Sequence, residues 1–555
     1  MKALLRSVGF ILVCLAGGAH AATLTLDPVL WDPTPSGLLV TGRASGVGSS
    51  LTAKVLAGGG ERWRRTVRIA SSGRFGIAIP PGVLQAGENV TVRVEAAGIA
   101  HQLSLSVISP GRSLQHLISR ITFGPTPALL KEAKTLGWTK FLDRQLRPEA
   151  IDDSVANQAA ARLPTQETYQ LQFYFLYRML STQAQLRELM TWFWENHFNT
   201  HLLKHGNRQW ELKENTQFRQ HALGRFRDLL DVSAKSAAML YYLDNHQSRK
   251  GAINENYARE LLELHTLGVN GGYTQKDVVE VARAFTGWNV ASWETGEFVF
   301  YASQHDTGPK TVLGTPLPAG RGIEDGEAVL DLLARHPSTA RFICTKLARF
   351  LIADAPSQAT VEDCAQTFLA RDGDIRQVLA NLLTSAEFFS DRSVRAKLKT
   401  PLRYVTSVVR ALEPERLGTH DLTWDMYMMG LGLFVQPIPT GWPEESSAWI
   451  DSHRMTQRLF FANYLPFKGP DPDYNPRFTY LVDPKGYFAR LGLETAEAIC
   501  GWLFQVLAGG DYTPREWEIA YSLLGDGFTL NDKEADQKLR KAISFVIGAP
   551  GTQRH

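Results

Sequence analysis

The chain has 555 residues, 44% of them hydrophobic, and a formal net charge of +3. That is enough apolar material to bury a large core, and at a prior of roughly 150 residues per domain it accommodates two or more. So small a charge on so long a chain leaves no electrostatic footprint for nucleic acid, which is excluded as a partner.

The first residues carry Lys2 and Arg6, an apolar run from Val8 to Ala16, and the small-residue sequence Ala19-His20-Ala21. This is the layout of a secretory signal peptide over 1–21, with cleavage expected after Ala21. The apolar run falls far short of the roughly 20 residues that span a bilayer, and no later stretch is long and uncharged enough. The mature chain is therefore expected in the periplasm or outside the cell, with no transmembrane segment. Cys14 follows Val13, where a lipoprotein signal usually has a small residue, so lipidation is disfavoured. Of the remaining cysteines, Cys344 and Cys364 lie on neighbouring predicted helices and either pair or pack as small apolar residues, and Cys500 is left over.

From Thr23 to about Ile108, short alternating runs such as Leu51 to Val55, Phe75 to Ile79 and Val90 to Val94 are separated by Gly, Pro, Ser and Asn. The period of two predicts a small immunoglobulin-like β-sandwich over 22–108. After Ser109-Pro110-Gly111 the period changes to about 3.6, predicting a large helical domain over 109–555 and a mainly α chain overall. Tyr169 to His205 reads as an interrupted helix, with others following at about 234–243, 255–267, 275–287, 323–353, 358–383 and 400–412, then from 455 to 547. Two irregular segments stand between them. Asn289 to Arg321 is expected to hold a small β element, and Leu433 to Ser452 is rich in Pro, Gly and Trp; loops this long often carry function.

The helix from Asn254 to Gly268 is well specified, with Asn254 as N-cap and Gly268 as left-handed C-terminal cap. At about 100° per residue, Tyr257, Leu261 and Leu264 share one face. Asn256, Glu260 and Glu263 share another, with Arg259 beside them. Arg259 lies four residues from both Glu255 and Glu263, so the plain reading is an exposed ladder of ion pairs. The sharper reading turns the two carboxylates into a cleft, for metal binding or acid–base work. Thr274 and Asp277 form a capping box on the next helix, and Arg283 near its far end is placed to pair with Glu260 or Glu263.

The block Asn254-Glu255-Asn256-Tyr257-Ala258-Arg259-Glu260-Leu261-Leu262-Glu263-Leu264-His265-Thr266-Leu267-Gly268 closely resembles the bacterial family called "domain of unknown function 1800". Tyr273 to Val278, Ala284 to Trp288, Arg120 to Pro127, Trp194-Glu195-Asn196-His197-Phe198, Leu243-Asp244-Asn245, His305-Asp306 with Lys310, Gly441-Trp442-Pro443 and Trp449-Ile450 fit the same pattern. The resemblance covers roughly 114–465, leaving the sandwich as an added module and 466–548 as a helical C-terminal part. It implies an exported protein without an assigned activity, whose partner belongs to a second exported family resembling phosphatases and sulfatases. Members usually carry an aromatic residue where this chain has His265.

Other candidate chemistry is scattered. His197, His201 and His205 recur every four residues, a metal-ligand spacing on a helix, although His-Glu-x-x-His is absent. His197 alone, flanked by Trp192, Trp194 and Phe198, reads either as a packed histidine or as a base or metal ligand near Glu260 and Glu263. His305-Asp306 precedes Gly308-Pro309-Lys310 in a loop, where both can ligate a divalent metal or orient water. Trp442 and Trp449 either stack on sugars or plug the core. Nucleophile-elbow, Walker, dinucleotide-binding and EF-hand motifs are absent. The resulting expectation is an exported hydrolase of an envelope or extracellular polymer. Its catalytic or metal-ligating residues would be His197, Glu260, Glu263, His305 and Asp306, with Asn256, Arg259, Arg283, Lys310, Trp442 and Trp449 in binding and a divalent metal as the cofactor. The competing expectation is a non-catalytic glycan- or protein-binding assembly protein of the envelope.

Overall fold

The computed structural model describes residues 22–415, 417, 421–467 and 482–555. The signal-peptide reading of 1–21 therefore lies outside the described residues. The chain is mainly helical, with small antiparallel sheets near the N-terminus. Seven strands come first: β1 (Thr23–Leu26), β2 (Leu38–Ser45), β3 (Ser50–Ala57), β4 (Gly60–Arg68), β5 (Arg74–Ile79), β6 (Asn89–Ala96) and β7 (Ile99–Ser106). They pair as β1-β2-β5 and β4-β3-β6-β7. In β3 and β6 every second residue is buried, Leu51, Ala53 and Val55 on one and Val90, Val92 and Val94 on the other, as a sheet with one covered face requires.

β5 departs from that alternation: Phe75 to Ile79 are all buried, because the helix Ala496–Ala508 packs on β2 and β5. Gly76 permits the approach, since a Cβ there would stand 2.4 Å from the Cβ of Ala498. That helix is buried along its whole length, and Pro484–Val546 belongs to the compact unit built on the strands. The sequence reading assigns this segment to the helical domain. A helix buried on every side has no single apolar stripe to indicate whether sheet or helix covers it. Among the described residues no single helix is long and apolar enough to cross a membrane.

The second unit comprises Pro110–Asp483 and Ile547–His555. The helix expected over 323–353 is two, Glu324–Ala334 and Pro337–Leu351, because His336 caps the second and Pro337 takes its first position. Cys344 and Cys364, on Pro337–Leu351 and Gln358–Ala370, form a disulfide, while Cys500 is free and buried. The segment 289–321 contributes to two hairpins, Trp288–Val290 with Phe298–Phe300 and Lys310–Val312 with Thr315–Leu317. At the centre lies Gln185–His197, in which every residue except Arg187 is buried. It packs against Arg208–His221, whose N-cap Asn207 accepts the Gln209 amide.

The stretch 254–268 is α-helical over Asn256–Glu260 and π-helical over Leu261–Thr266. Its buried positions, Tyr257, Ala258, Leu261, Leu262, His265 and Thr266, repeat every fourth residue. The wide turn, with the Leu267 amide donating to the Leu262 carbonyl at 2.9 Å, keeps those side chains inward where a 3.6 period would rotate them away. Leu264, expected on the apolar stripe, is consequently half-buried.

Candidate functional site

The sequence-predicted residues fall into separate environments. His197 is buried, with Nε2 donating to the His265 carbonyl at 3.0 Å and Nδ1 accepting from Lys346 Nζ at 3.0 Å. Both ring nitrogens are engaged, and burial with the Lys346 charge pushes its pKa well down. The three-histidine spacing does not survive folding. The helix ends at His197, His201 caps the short Leu202–His205 turn, and His205 bonds to Glu211 instead. Glu260 and Glu263 are half-buried neighbours; burial and then the Glu263 charge raise the Glu260 pKa. Glu263 accepts from the Tyr273 hydroxyl at 3.3 Å, Asn256 is exposed, and Arg259 pairs with Glu255 at 3.1 Å and Gln275 at 3.0 Å. Of the expected ladder one ion pair forms, Arg259 with Glu255, while Glu263 takes the Tyr273 hydroxyl instead.

A second group forms around Asp325. Its carboxylate takes Lys310 at 2.6 Å and Arg321 at 2.7 Å, and the His305 ring lies beside it with Nε2 at 3.3 Å from Asp325 and Nδ1 at 2.8 Å from the Thr286 carbonyl. Asp306 is held by Arg283 at 2.9 Å, which lowers its pKa to about 2. Arg283 thus pairs with Asp306 and Glu280 and not with Glu260 or Glu263, which corrects its expected partner. His305, Lys310 and Asp325 are buried, so this ionic group pins the 289–321 segment to the helices. Trp449 is buried, donating to the Pro443 carbonyl at 3.0 Å, and Trp442 is half-buried. The Trp442 amide donates to Asn196 Oδ1 at 2.7 Å and its ring to the Gly432 carbonyl at 3.2 Å. Trp449 therefore plugs the core and has no face free for sugar; its loop is irregular because it wraps the end of a buried helix.

The unusual chemistry lies elsewhere, on the two packed helices Gln185–His197 and Arg208–His221. Glu195 from the first and Glu211 and Glu214 from the second are buried, and one carboxylate oxygen from each lies within 4.8 Å of the others. Glu195 accepts from Asn215 Nδ2 at 2.6 Å. Glu211 accepts from His205 Nε2 at 2.8 Å and from the Thr200 hydroxyl at 3.0 Å. The Asn207 amide donates to His205 Nδ1 at 3.1 Å, which fixes the ring proton on Nε2, where it orients Glu211. Glu214 differs: neither oxygen accepts a hydrogen bond of normal geometry, although the Ser236 and Thr200 hydroxyls stand near enough to stabilise its charge weakly.

Among the described residues, no guanidinium or ammonium pairs directly with these three carboxylates. Burial and the Glu211 charge raise Glu195 to about 8, and burial with the Glu195 and Glu211 charges raises Glu214 well above the usual carboxylate value. Glu214 and Ser236 also line a cleft of ≈ 580 Å³, walled by Trp210, Lys213, Arg227, Asp231, Lys235 and Phe298. None of the sequence-predicted site residues lines this cleft. Along its rim, Arg227 pairs with Glu327 at 2.6 Å and Lys235 with Asp231 at 2.7 Å, so the walls are charged but internally balanced. Glu214 is the member of the carboxyl cluster that lines the cleft.

Sequence reasoning passed over Glu195 because His197 stands two residues away in the same motif, and over Arg208–His221 entirely. One signal was available: Trp210, Glu214 and Phe218 are spaced by four, so a carboxylate interrupts an aromatic stripe that helical geometry must bury.

Fold and site together define a mainly helical protein with a three-carboxylate centre buried at the end of a polar cleft. The chain belongs to the family described as "Protein of unknown function (DUF1800)", which it matches over residues 116–554. No curated protein matches it.

Proposed function

We propose that the protein is an exported hydrolase acting on an envelope or extracellular polymer at the cleft that ends on Glu214. The observation that carries this reading is a buried carboxyl group, short of hydrogen bonds, on a residue that lines a cleft, with two more carboxyl groups beside it. Groups left without a compensating partner cost stability and are characteristic of sites kept for chemistry. In this role Glu214 meets the reacting water or substrate, Glu195 and Glu211 set the local field, and His205, Thr200 and Asn215 hold them in place. The Cys344–Cys364 disulfide and the basic-apolar-small start of the chain support a periplasmic or secreted location. Seven strands in two antiparallel sheets support the immunoglobulin-like reading of the first module.

A second reading, a non-catalytic glycan- or protein-binding protein of the envelope, draws support from Trp424 and Tyr427. They are 50% and 56% exposed and stack at 5.8 Å on one helix. A phosphatase- or sulfatase-like exported partner is compatible with either reading. Release of soluble fragments from purified envelope polymers separates the two. Hydrolysis predicts release by the wild type and a loss of at least about 100-fold in Glu214→Gln. Absence of release from every polymer, with binding retained, favours the second reading.

A further inference from the structure

We infer that Glu195, Glu211 and Glu214 form a binding centre for one hard divalent cation of the magnesium, manganese or calcium class, entered from the cleft at Glu214. The inference rests on the site reading above and adds to it the identity of what the carboxylates hold.

Geometry supplies the first argument. Cation–oxygen distances of about 2.1–2.4 Å place ligand oxygens on opposite sides of an ion roughly 4.2–4.8 Å apart, and closer when adjacent. One oxygen from each of the three glutamates lies within 4.8 Å of the other two, so a point between them is no more than about 2.8 Å from each, and small side-chain rotations bring all three onto one ion. The helices favour this arrangement: Glu211 and Glu214 are three residues apart on one face of Arg208–His221, and Glu195 comes from the helix packed against it.

The second argument is independent of the clustering. Glu214 is 1% exposed, and both of its oxygens lack a hydrogen bond of normal geometry; in a folded interior such acceptors are rare and call for a partner. Glu195 and Glu211, by contrast, are each steadied by one neutral donor set that leaves lone pairs over. Ligating carboxylates characteristically have outer hydrogen bonds of this kind.

The donor set also selects the class of ion. His205 has no nitrogen to offer, since Nδ1 accepts from Asn207 and Nε2 donates to Glu211, and no thiol is present among the residues that compose the centre. Oxygen-only ligation suits magnesium, manganese and calcium better than zinc or copper. The cleft supplies the entry path and room for the waters that complete the coordination shell.

The test is titration of chelator-treated full-length protein with Mn²⁺, by calorimetry and by loss of the free-ion electron paramagnetic signal. One Mn²⁺ per chain is expected, with affinity lowered at least about 10-fold in Glu195→Gln and Glu214→Gln and unchanged in Glu255→Gln, which alters surface contacts to Arg259 and Gln275. Thermal melting of the same proteins guards against misfolding: Mn²⁺ should raise the Tm of the wild type and fail to raise that of a folded Glu214→Gln. A wild type that binds no Mn²⁺, Mg²⁺ or Ca²⁺, or a folded Glu214→Gln that binds as tightly as the wild type, overturns the inference. Cation binding without polymer hydrolysis leaves the centre standing and removes the hydrolase reading. Hydrolysis by a protein that takes up no cation on titration does the reverse.

Discussion

Glu188 and Glu195 stand seven residues apart on the same buried helix, and Glu188 bonds directly to a cation where Glu195 bonds to an amide. Arg219 closes on Glu188 through Nε and Nη2, both at 2.8 Å, so that despite full burial the Glu188 pKa stays below the usual value. Glu195 has an amide in the corresponding place, 2.6 Å away, and two more carboxylates behind it. The first is a structural ion pair. The second belongs to a centre that the protein keeps at a cost to its own stability.

This contrast gives opposite expectations for two conservative substitutions. Glu188→Gln strands the buried Arg219 guanidinium and should destabilise the protein by about 3–5 kcal/mol. Glu195→Gln in chelator-treated protein removes a poorly compensated carboxylate and should be neutral or stabilising by about 1 kcal/mol. Urea unfolding of both variants checks this; equal destabilisation would mean that Glu195 is as structural as Glu188.

His265 offers a test of the packing account. Its ring is buried with an edge toward Phe198 at 5.4 Å, neither nitrogen has a hydrogen-bond partner, and burial followed by the Lys346 charge lowers its pKa to about 3. The imidazole is therefore neutral and fills space as an aromatic ring, at the position where the family resemblance implies one. His265→Phe keeps the backbone carbonyl that receives His197 and should stabilise the fold by about 1–2 kcal/mol. A loss of that size would reveal a polar role for the ring.

Glu497, in the unit built on the strands, predicts a pH dependence. Burial raises its pKa to about 7, although Arg65 at 3.6 Å and the Ala78 amide at 3.3 Å oppose the shift. The folded state therefore holds the proton more tightly than the unfolded chain does. Its contribution to stability is fully present below about pH 4.5 and is lost as pH rises through about 7. Glu497→Gln, which mimics the protonated form, should match the wild type near pH 4.5 and exceed it by about 1–3 kcal/mol at pH 8. Denaturant titrations of both proteins at several pH values check the sign; a difference that shrinks with rising pH contradicts it.

The parts of the structure legible in the sequence are those with a single period and a local cap. Leu51-Ala53-Val55 announced a half-covered strand, and Thr274 with Asp277 announced the start of Gln275–Ala284. The Asn254 to Gly268 helix was legible in existence and extent but not in its faces. A π-helical turn is set by tertiary packing, and a 3.6-residue projection then carries Leu264 to the wrong side. The site was hidden for a related reason. Glu211 and Glu214 lie on a helix rich in charge, which reads as solvated until packing shows that its Trp210-Glu214-Phe218 stripe faces inward. His197 and His305 carried the stronger sequence signal, and folding used both to satisfy neighbouring backbone and ionic groups.

The central claim is that Glu195, Glu211 and Glu214 enclose a cation at the inner end of the cleft. The most direct measurement is anomalous X-ray scattering from crystals of the full chain grown with Mn²⁺. A single strong anomalous peak bounded by oxygens of all three carboxylates is the predicted result. No peak at saturating Mn²⁺, or one only among the exposed acidic side chains, would contradict it.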